Sequence, residues 1–364
     1  MSFTRRTLLA TASAAAALPL LPRRAAASYA PTPGPWRRFE ITTRIAIETG
    51  GAPSQAWVPV PAVFAPDWAK PGASHWTTNA VEAGLKGDPR DDARFVHAVW
   101  DGGDRAVIDI VSEASVRDRA TEFDAPGTPA SLSSEARDHW TAPTDLIPTD
   151  GIVRETSDRI TDGLRSDRDK ARAIYDWIVE ETARDPETRG CGLGDVGSML
   201  RVGDLTGKCA DLNALFVGLA RAAGLPARDV YGLRVAPSAF GYKSLGAGSE
   251  DVTKAQHCRA DVWLDDHGWV AADPADVRKV MLEEPPKDLA LDDPKVVDVR
   301  AALFGAWEGN WLPYNFAHDV ALPGSANGPV PFLMYPEAEV DGRRLDPLEP
   351  ADFAYTITAR EIAG

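Results

Sequence analysis

Cys209 stands in the run Gly207-Lys208-Cys209-Ala210-Asp211-Leu212-Asn213-Ala214-Leu215-Phe216. Leu212, Leu215, Phe216, Leu219 and Ala223 follow at helical spacing, which predicts a helix that starts at the cysteine and buries one face. Gly224 and then Pro226 supply the usual order of helix-ending residues. A cysteine in a first helical turn meets free backbone N–H groups and the positive end of the helix dipole. Both favour thiolate over thiol, and Lys208 adds positive charge. This is the preparation a nucleophilic sulfur needs. The bland alternative is a buried small hydrophobe, so the residues downstream decide.

A thiolate that attacks an acyl carbon needs a partner to hold the ion pair and then protonate the leaving amine. Histidine has the right pKa for both tasks. Its ring in turn needs an acceptor that fixes tautomer and orientation. His257-Cys258-Arg259-Ala260-Asp261-Val262-Trp263-Leu264 reads as a strand, Asp265 to Gly268 as a turn, and Trp269 to Asp273 as the partner strand, closed by Pro274. With the turn centred on Asp266, His257 faces Ala275, and Asp273 becomes its diagonal neighbour on the same sheet face. Diagonal neighbours are about 7–8 Å apart at the backbone, within reach of long side chains. A lone histidine or an Asp-Pro turn is commonplace. A cysteine at a helix start, then a histidine at a strand start, then an aspartate at the end of the next strand points to one site: Cys209 as nucleophile, His257 as base, Asp273 as orienter. The Cys209 N–H is the candidate oxyanion donor.

These stretches also resemble a known family. Gly207 to Asp211 with Phe216, followed by Arg221-Ala222-Ala223-Gly224-Leu225-Pro226-Ala227-Arg228, is similar to the cysteine motif of the transglutaminase-like superfamily. His257 to Val262 resembles its histidine motif, and Gly268-Trp269-Val270-Ala271-Ala272-Asp273-Pro274 its aspartate motif. The resemblance implies an α+β fold: a papain-like core in which the cysteine helix packs on an antiparallel sheet. It also implies cysteine-dependent acyl transfer on peptide or amide bonds through a thioester, by a protease, an amidase or an acyltransferase. Hydrolysis is expected ahead of transamidation. The same superfamily holds inactive scaffolds, so a binding module is the competing reading. No position matches the side-chain oxyanion donor of animal crosslinking enzymes.

No cofactor and no metal site are expected. The acidic pairs Asp265-Asp266 and Asp292-Asp293 read as turns, without a calcium-loop pattern. His75, His97 and His139 have no second ligand at metal spacing. A zinc site from Cys191, Cys209, His257 and Cys258 is disfavoured, because adjacent His257 and Cys258 should point to opposite strand faces. The Gly-rich run Gly190 to Gly194 lacks a P-loop lysine.

The elements that must position these residues divide the chain. Residues 1–27 read as a twin-arginine signal peptide: Arg5-Arg6, an Ala/Leu run to Leu21, Arg23-Arg24, and Ala25 to Ala27 as a cleavage site. Removal of its four arginines takes the formal charge from −15 to −19. Residues 36–120 read as a β-rich, sandwich-like domain: alternation over Phe39 to Ile47, a strand Ala56 to Val60 with Pro59 at an edge or bend, and a hairpin joining Phe95–Trp100 to Arg105–Val116 through Asp101-Gly102-Gly103-Asp104. Residues 121–148 read as a linker, 149–285 as the catalytic core, and 286–364 as a C-terminal extension completing the fold. Ser166 with Asp169 predicts a helix start. Asp195 to Arg201 suggests a short helix, and Ala236 to Gln256 a site wall or lid.

With 39 basic against 54 acidic side chains, the balance argues against nucleic acid or an anionic membrane surface as partner. No apolar run beyond the N-terminus is long enough to span a bilayer. The expected location is periplasmic or secreted. The expected substrate is a peptide, a protein or a peptidoglycan peptide. Three cysteines in an oxidising compartment leave one that stays free or pairs between chains; Cys191 and Cys258 could join and leave Cys209 free.

Overall fold

The computed structural model describes residues 28–125 and 131–363; the expected signal peptide lies outside the described residues. Among the described residues seven helices are seen: α1 Ser134–Thr141, α2 Gly151–Thr161, α3 Asp167–Glu181, α4 Val196–Val202, α5 Cys209–Ala222, α6 Pro274–Glu283 and α7 Pro294–Ala302. Helix α5 begins at the cysteine and ends as its residues dictate. Gly224 takes φ +84°, the Leu225 N–H donates to the Ala220 carbonyl, and that of Gly224 to Arg221. One expectation is corrected here: α5 buries all fourteen of its residues, not one face. It runs between the strands Gln256–Leu264 and Ala227–Arg234 on one side and α2, α3, α4 and α6 on the others. Leu212, Leu215, Phe216 and Leu219 are fully enclosed, each contributing about 1.5–3 kcal/mol of hydrophobic burial.

The sheet under α5 is antiparallel, in the order Gly268–Ala272, Gln256–Leu264, Ala227–Arg234, Trp311–Asn315. Its first hairpin has the expected register: Trp263 faces Trp269 and Ala260 faces Ala272. The strand then stops, because Asp273 caps α6 by accepting from the Asp276 N–H at 3.1 Å and Pro274 occupies the first helical turn. Helix α3 starts at Ser166, whose hydroxyl accepts from the Asp169 N–H at 3.0 Å. Helix α4 starts at Asp195 in the same way.

Two further sheets face each other across Ile45, Ile47, Val58, Val96, Ile108 and Ile110. One runs Tyr355–Ile362, Arg37–Glu48, Arg105–Val116, Ala69–Thr78; the other Arg343–Arg344, Glu337–Val340, Ser54–Pro59, Ala93–Trp100, Glu82–Asp88. The expected hairpin across Asp101 to Asp104 is corrected: its two strands belong to different sheets. Arg105–Val116 is taken on both edges, by Arg37–Glu48 and Ala69–Thr78, while Ala93–Trp100 lies between Ser54–Pro59 and Glu82–Asp88. The turn therefore carries the chain from one layer to the other. Pro59 does not mark an edge strand either. Ser54–Pro59 is paired on both sides, and Pro59 is tolerated because it is the last residue, beyond the end of the Glu337–Val340 pairing at Trp57. The C-terminal strands thus close sheets begun by the N-terminal ones. Within 121–148, the stretch read as a linker, α1 forms behind its Ser133 cap and packs Trp140 against Trp269 and Phe316.

Candidate active site

The start of α5 is held from below by its own third residue. The Asp211 carboxylate accepts backbone N–H groups of Leu193 (2.9 Å), Gly194 (3.0 Å) and Lys208 (3.0 Å). The Cys191 carbonyl accepts the Ala210 N–H at 2.8 Å. The Gly-rich loop is therefore the brace that fixes the cysteine. Gly192 sits at φ +94°, where a Cβ would lie 1.8 Å from Asp211 Oδ2; only glycine fits. The Cys209 N–H is among the first-turn donors that helix geometry leaves without an intrahelical acceptor.

Cys209, His257 and Asp273 are brought together. His257 Nε2 lies 2.8 Å from Asp273 Oδ2 and 3.4 Å from Asp276 Oδ2. Cys209 is 5%, His257 3% and Asp273 0% exposed. Burial and nearby Arg234 push the imidazole toward neutrality, but Asp276 and Asp273 overcome both and raise its pKa to about 9. Hydrogen bonds from Cys191 and Cys258, then the contact with His257, hold Cys209 well below the usual thiol range against its burial. Against its burial, Arg234 holds Asp276 ionised through two contacts, 2.5 and 2.8 Å. Burial and then Asp276 raise Asp273 above the usual carboxylate range.

Three partners of the site went unread in the sequence. Asn213, one turn beyond Cys209 on α5, donates to the Cys258 carbonyl (2.8 Å) and to Asp273 Oδ1 (3.2 Å). Trp311 Nε1 donates to the His257 carbonyl at 2.9 Å. Asp276 adds the second carboxylate. The i+4 spacing of Asn213 from Cys209 was a signal; the long-range approach of Trp311 left none.

The cysteines are all free and buried, and the sulfurs of Cys191, Cys209 and Cys258 lie within 4.8 Å of one another. His257 groups instead with Asp273 and Asp276.

Cys209 and His257 open onto a cleft of about 620 Å³. Its walls are the brace loop at Arg189 to Cys191, the Gly246 to Gln256 part of the long polar loop, and the C-terminal stretch Pro347 to Tyr355.

The chain belongs to the transglutaminase-like superfamily, whose family model matches residues 154–274 and so takes in Cys209, His257 and Asp273. It is 34% identical over 322 residues to an uncharacterized protein of Haemophilus influenzae, covering 84% of this chain and 86% of that one. Its fold is similar to that of a proposed cysteine protease from Cytophaga hutchinsonii, at 13% identity and TM-score 0.50, over 90% of this chain and 99% of that one. The periplasmic domain of TgpA from Pseudomonas aeruginosa aligns at 16% identity and TM-score 0.34, over 67% of this chain and 88% of that domain. Among the described residues, no helix is long and apolar enough to cross a membrane.

Proposed function

We propose that this protein is an exported cysteine-dependent enzyme that hydrolyses peptide or amide bonds. The observation that carries the reading is the Asp273–His257 hydrogen bond at Nε2, with the helix-start Cys209 and His257 lining one cleft. The Cys209 thiolate attacks the acyl carbon, and the carbonyl electron pair moves to its oxygen, facing the Cys209 N–H. Collapse expels the amine, which takes the imidazolium proton, and leaves a thioester and neutral His257. Water then gives a proton to His257 and attacks the thioester. The carboxylic acid departs, and the proton on His257 restores the ion pair with Cys209. Asp273 orients the ring and stabilises its charged form throughout. An amine in place of that water would give transamidation by the same steps.

Export is supported by the twin-arginine pattern at Arg5-Arg6 ahead of the Ala/Leu run to Leu21. The test of the reaction is product analysis of peptide amides turned over in isotopically labelled water. Label in a new carboxyl group, with a Cys209-linked acyl adduct trapped at low pH, is the expected result. Absence of both adduct and carboxyl product across a broad peptide set would sink the reading.

A further inference from the structure

The cleft over Cys209 runs against the charge of the rest of the molecule. The chain has 39 basic and 54 acidic side chains. The cleft is lined by Arg184, Arg189, Lys208, Arg234, Lys254 and Lys279 against one acid, Asp251. Some of these cations are structural. Arg184 pairs with Glu283 at 2.5 Å, Arg189 with Asp346, and Arg234 with Asp276 at 2.5 Å. Lys279 reaches Glu283 only at 3.9 Å, and burial followed by Arg234 lowers its pKa to about 8. Among the described residues neither Lys208 nor Lys254 makes a salt bridge, and the one acid near Lys254 is Asp251 of its own loop. Lys208 is half-buried beside the nucleophile, and Lys254 is exposed three residues before His257. Gln256 lines the same cleft, and its Nε2 is enclosed without an acceptor. Lys208, Lys254 and Gln256 therefore line the same cleft as Cys209, and the Gln256 amide still lacks an acceptor.

A low-dielectric cleft of one sign concentrates ligands of the other. Hydrogen bonds between ammonium and carboxylate are among the strong ones. Amines and basic peptides are disfavoured by the same field. Resting on the reading of Cys209 as nucleophile, we propose that the substrates are acidic peptides, with a carboxylate close to the scissile amide held by Lys208 and Lys254 and an oxygen of the peptide received by Gln256.

The test separates this proposal from the reaction it rests on. Cys209 is alkylated in the full-length mature protein with iodoacetate and with iodoacetamide, in wild type and in Lys208→Gln, Lys254→Gln and the double variant. The ratio of the two rates cancels changes in thiol reactivity and reports the field. The expected result is a fall in the iodoacetate-to-iodoacetamide ratio of about tenfold in the double variant, and a similar fall in the wild type as salt is raised. Thermal unfolding should be unchanged. In a second arm, peptides with glutamate, with glutamine in its place, and with a free or amidated C-terminus compete against iodoacetamide. Protection should need at least tenfold less of a carboxylate-bearing peptide, and the pairs tell side-chain from terminal carboxylate. Equal ratios in all variants, or equal protection by acidic and neutral peptides, overturn the substrate class while leaving the nucleophile standing. A Cys209 that neither reagent labels overturns both.

Discussion

His257 and Asp273 meet at 2.8 Å because one aspartate does two jobs. Its Oδ2 takes the ring at Nε2, and its Oδ1 takes the Asp276 N–H at 3.1 Å as the cap of α6. The cap fixes the carboxylate in a rotamer that the histidine then uses. The orienting group is thus locked by backbone geometry, and α6 in turn presents Asp276 to the same ring at 3.4 Å.

That arrangement predicts an ordered series of thiol reactivities. Cys209 should be the first thiol alkylated by iodoacetamide near neutral pH, as thiolate character sets the rate. Cys209→Ala should abolish turnover and the rapid label while leaving the fold intact. His257→Ala should slow alkylation of Cys209. Asp273→Ala should reduce turnover by less than His257→Ala, because an orienter acts through geometry. Rapid labelling of Cys191 or Cys258 instead, read by peptide mapping, contradicts the assignment.

The pH profile follows from the sign of the His257 shift. Its pKa is raised to about 9. The stabilisation of the charged ring is therefore complete below the ordinary value of about 6.5 and is lost as pH rises through about 9. Turnover needs the imidazolium to protonate the leaving amine, so kcat/KM should hold through neutral pH and fall along a basic limb near 9. A basic limb near 6.5 would mean that the two carboxylates do not hold the ring charged.

Cys191 is expected to tune the nucleophile. It is the first of the hydrogen-bond partners that hold Cys209 low, so Cys191→Ala should move the pH midpoint of Cys209 alkylation upward and leave the plateau rate at higher pH in place. An unmoved midpoint, with the variant folded by circular dichroism, would remove Cys191 from this role.

Gly192→Ala tests the brace. The backbone at φ +94° is strained for any other residue, and the new methyl would meet Asp211 Oδ2 at 1.8 Å. The strain alone costs about 1–3 kcal/mol, and Asp211 must let go of the loop. The variant should melt at lower temperature and alkylate more slowly at Cys209. Wild-type values for both would mean that the loop does not fix the cysteine.

Export is tested at the N-terminus. Replacing Arg5 and Arg6 by lysine should block accumulation of mature protein outside the cytoplasm, read by cell fractionation. Undiminished mature protein in the periplasmic fraction argues for another route.

The sequence by itself determined what is local. Cys209 starts a helix because apolar residues follow at helical spacing and Gly224 ends it. Ser166 starts α3 through its own hydroxyl. The turn at Asp266 sets the register that puts Asp273 diagonal to His257, since a hairpin's pairing is counted from its turn. These are relations among residues a few positions apart, and side-chain chemistry specifies them without help. Only the tertiary structure decided which distant residues share the site. Asn213 reaches the Cys258 carbonyl because α5 lies across that strand. Trp311 reaches the His257 carbonyl from the far side of Gly232. Cys191 comes to Cys209 through a loop pinned by Asp211. The supposed hairpin at Asp101 to Asp104 misled for the same reason. A turn motif says that the chain reverses, but sheet partners are chosen by long-range competition, and Arg37–Glu48 and Ala69–Thr78 had already taken both edges of Arg105–Val116.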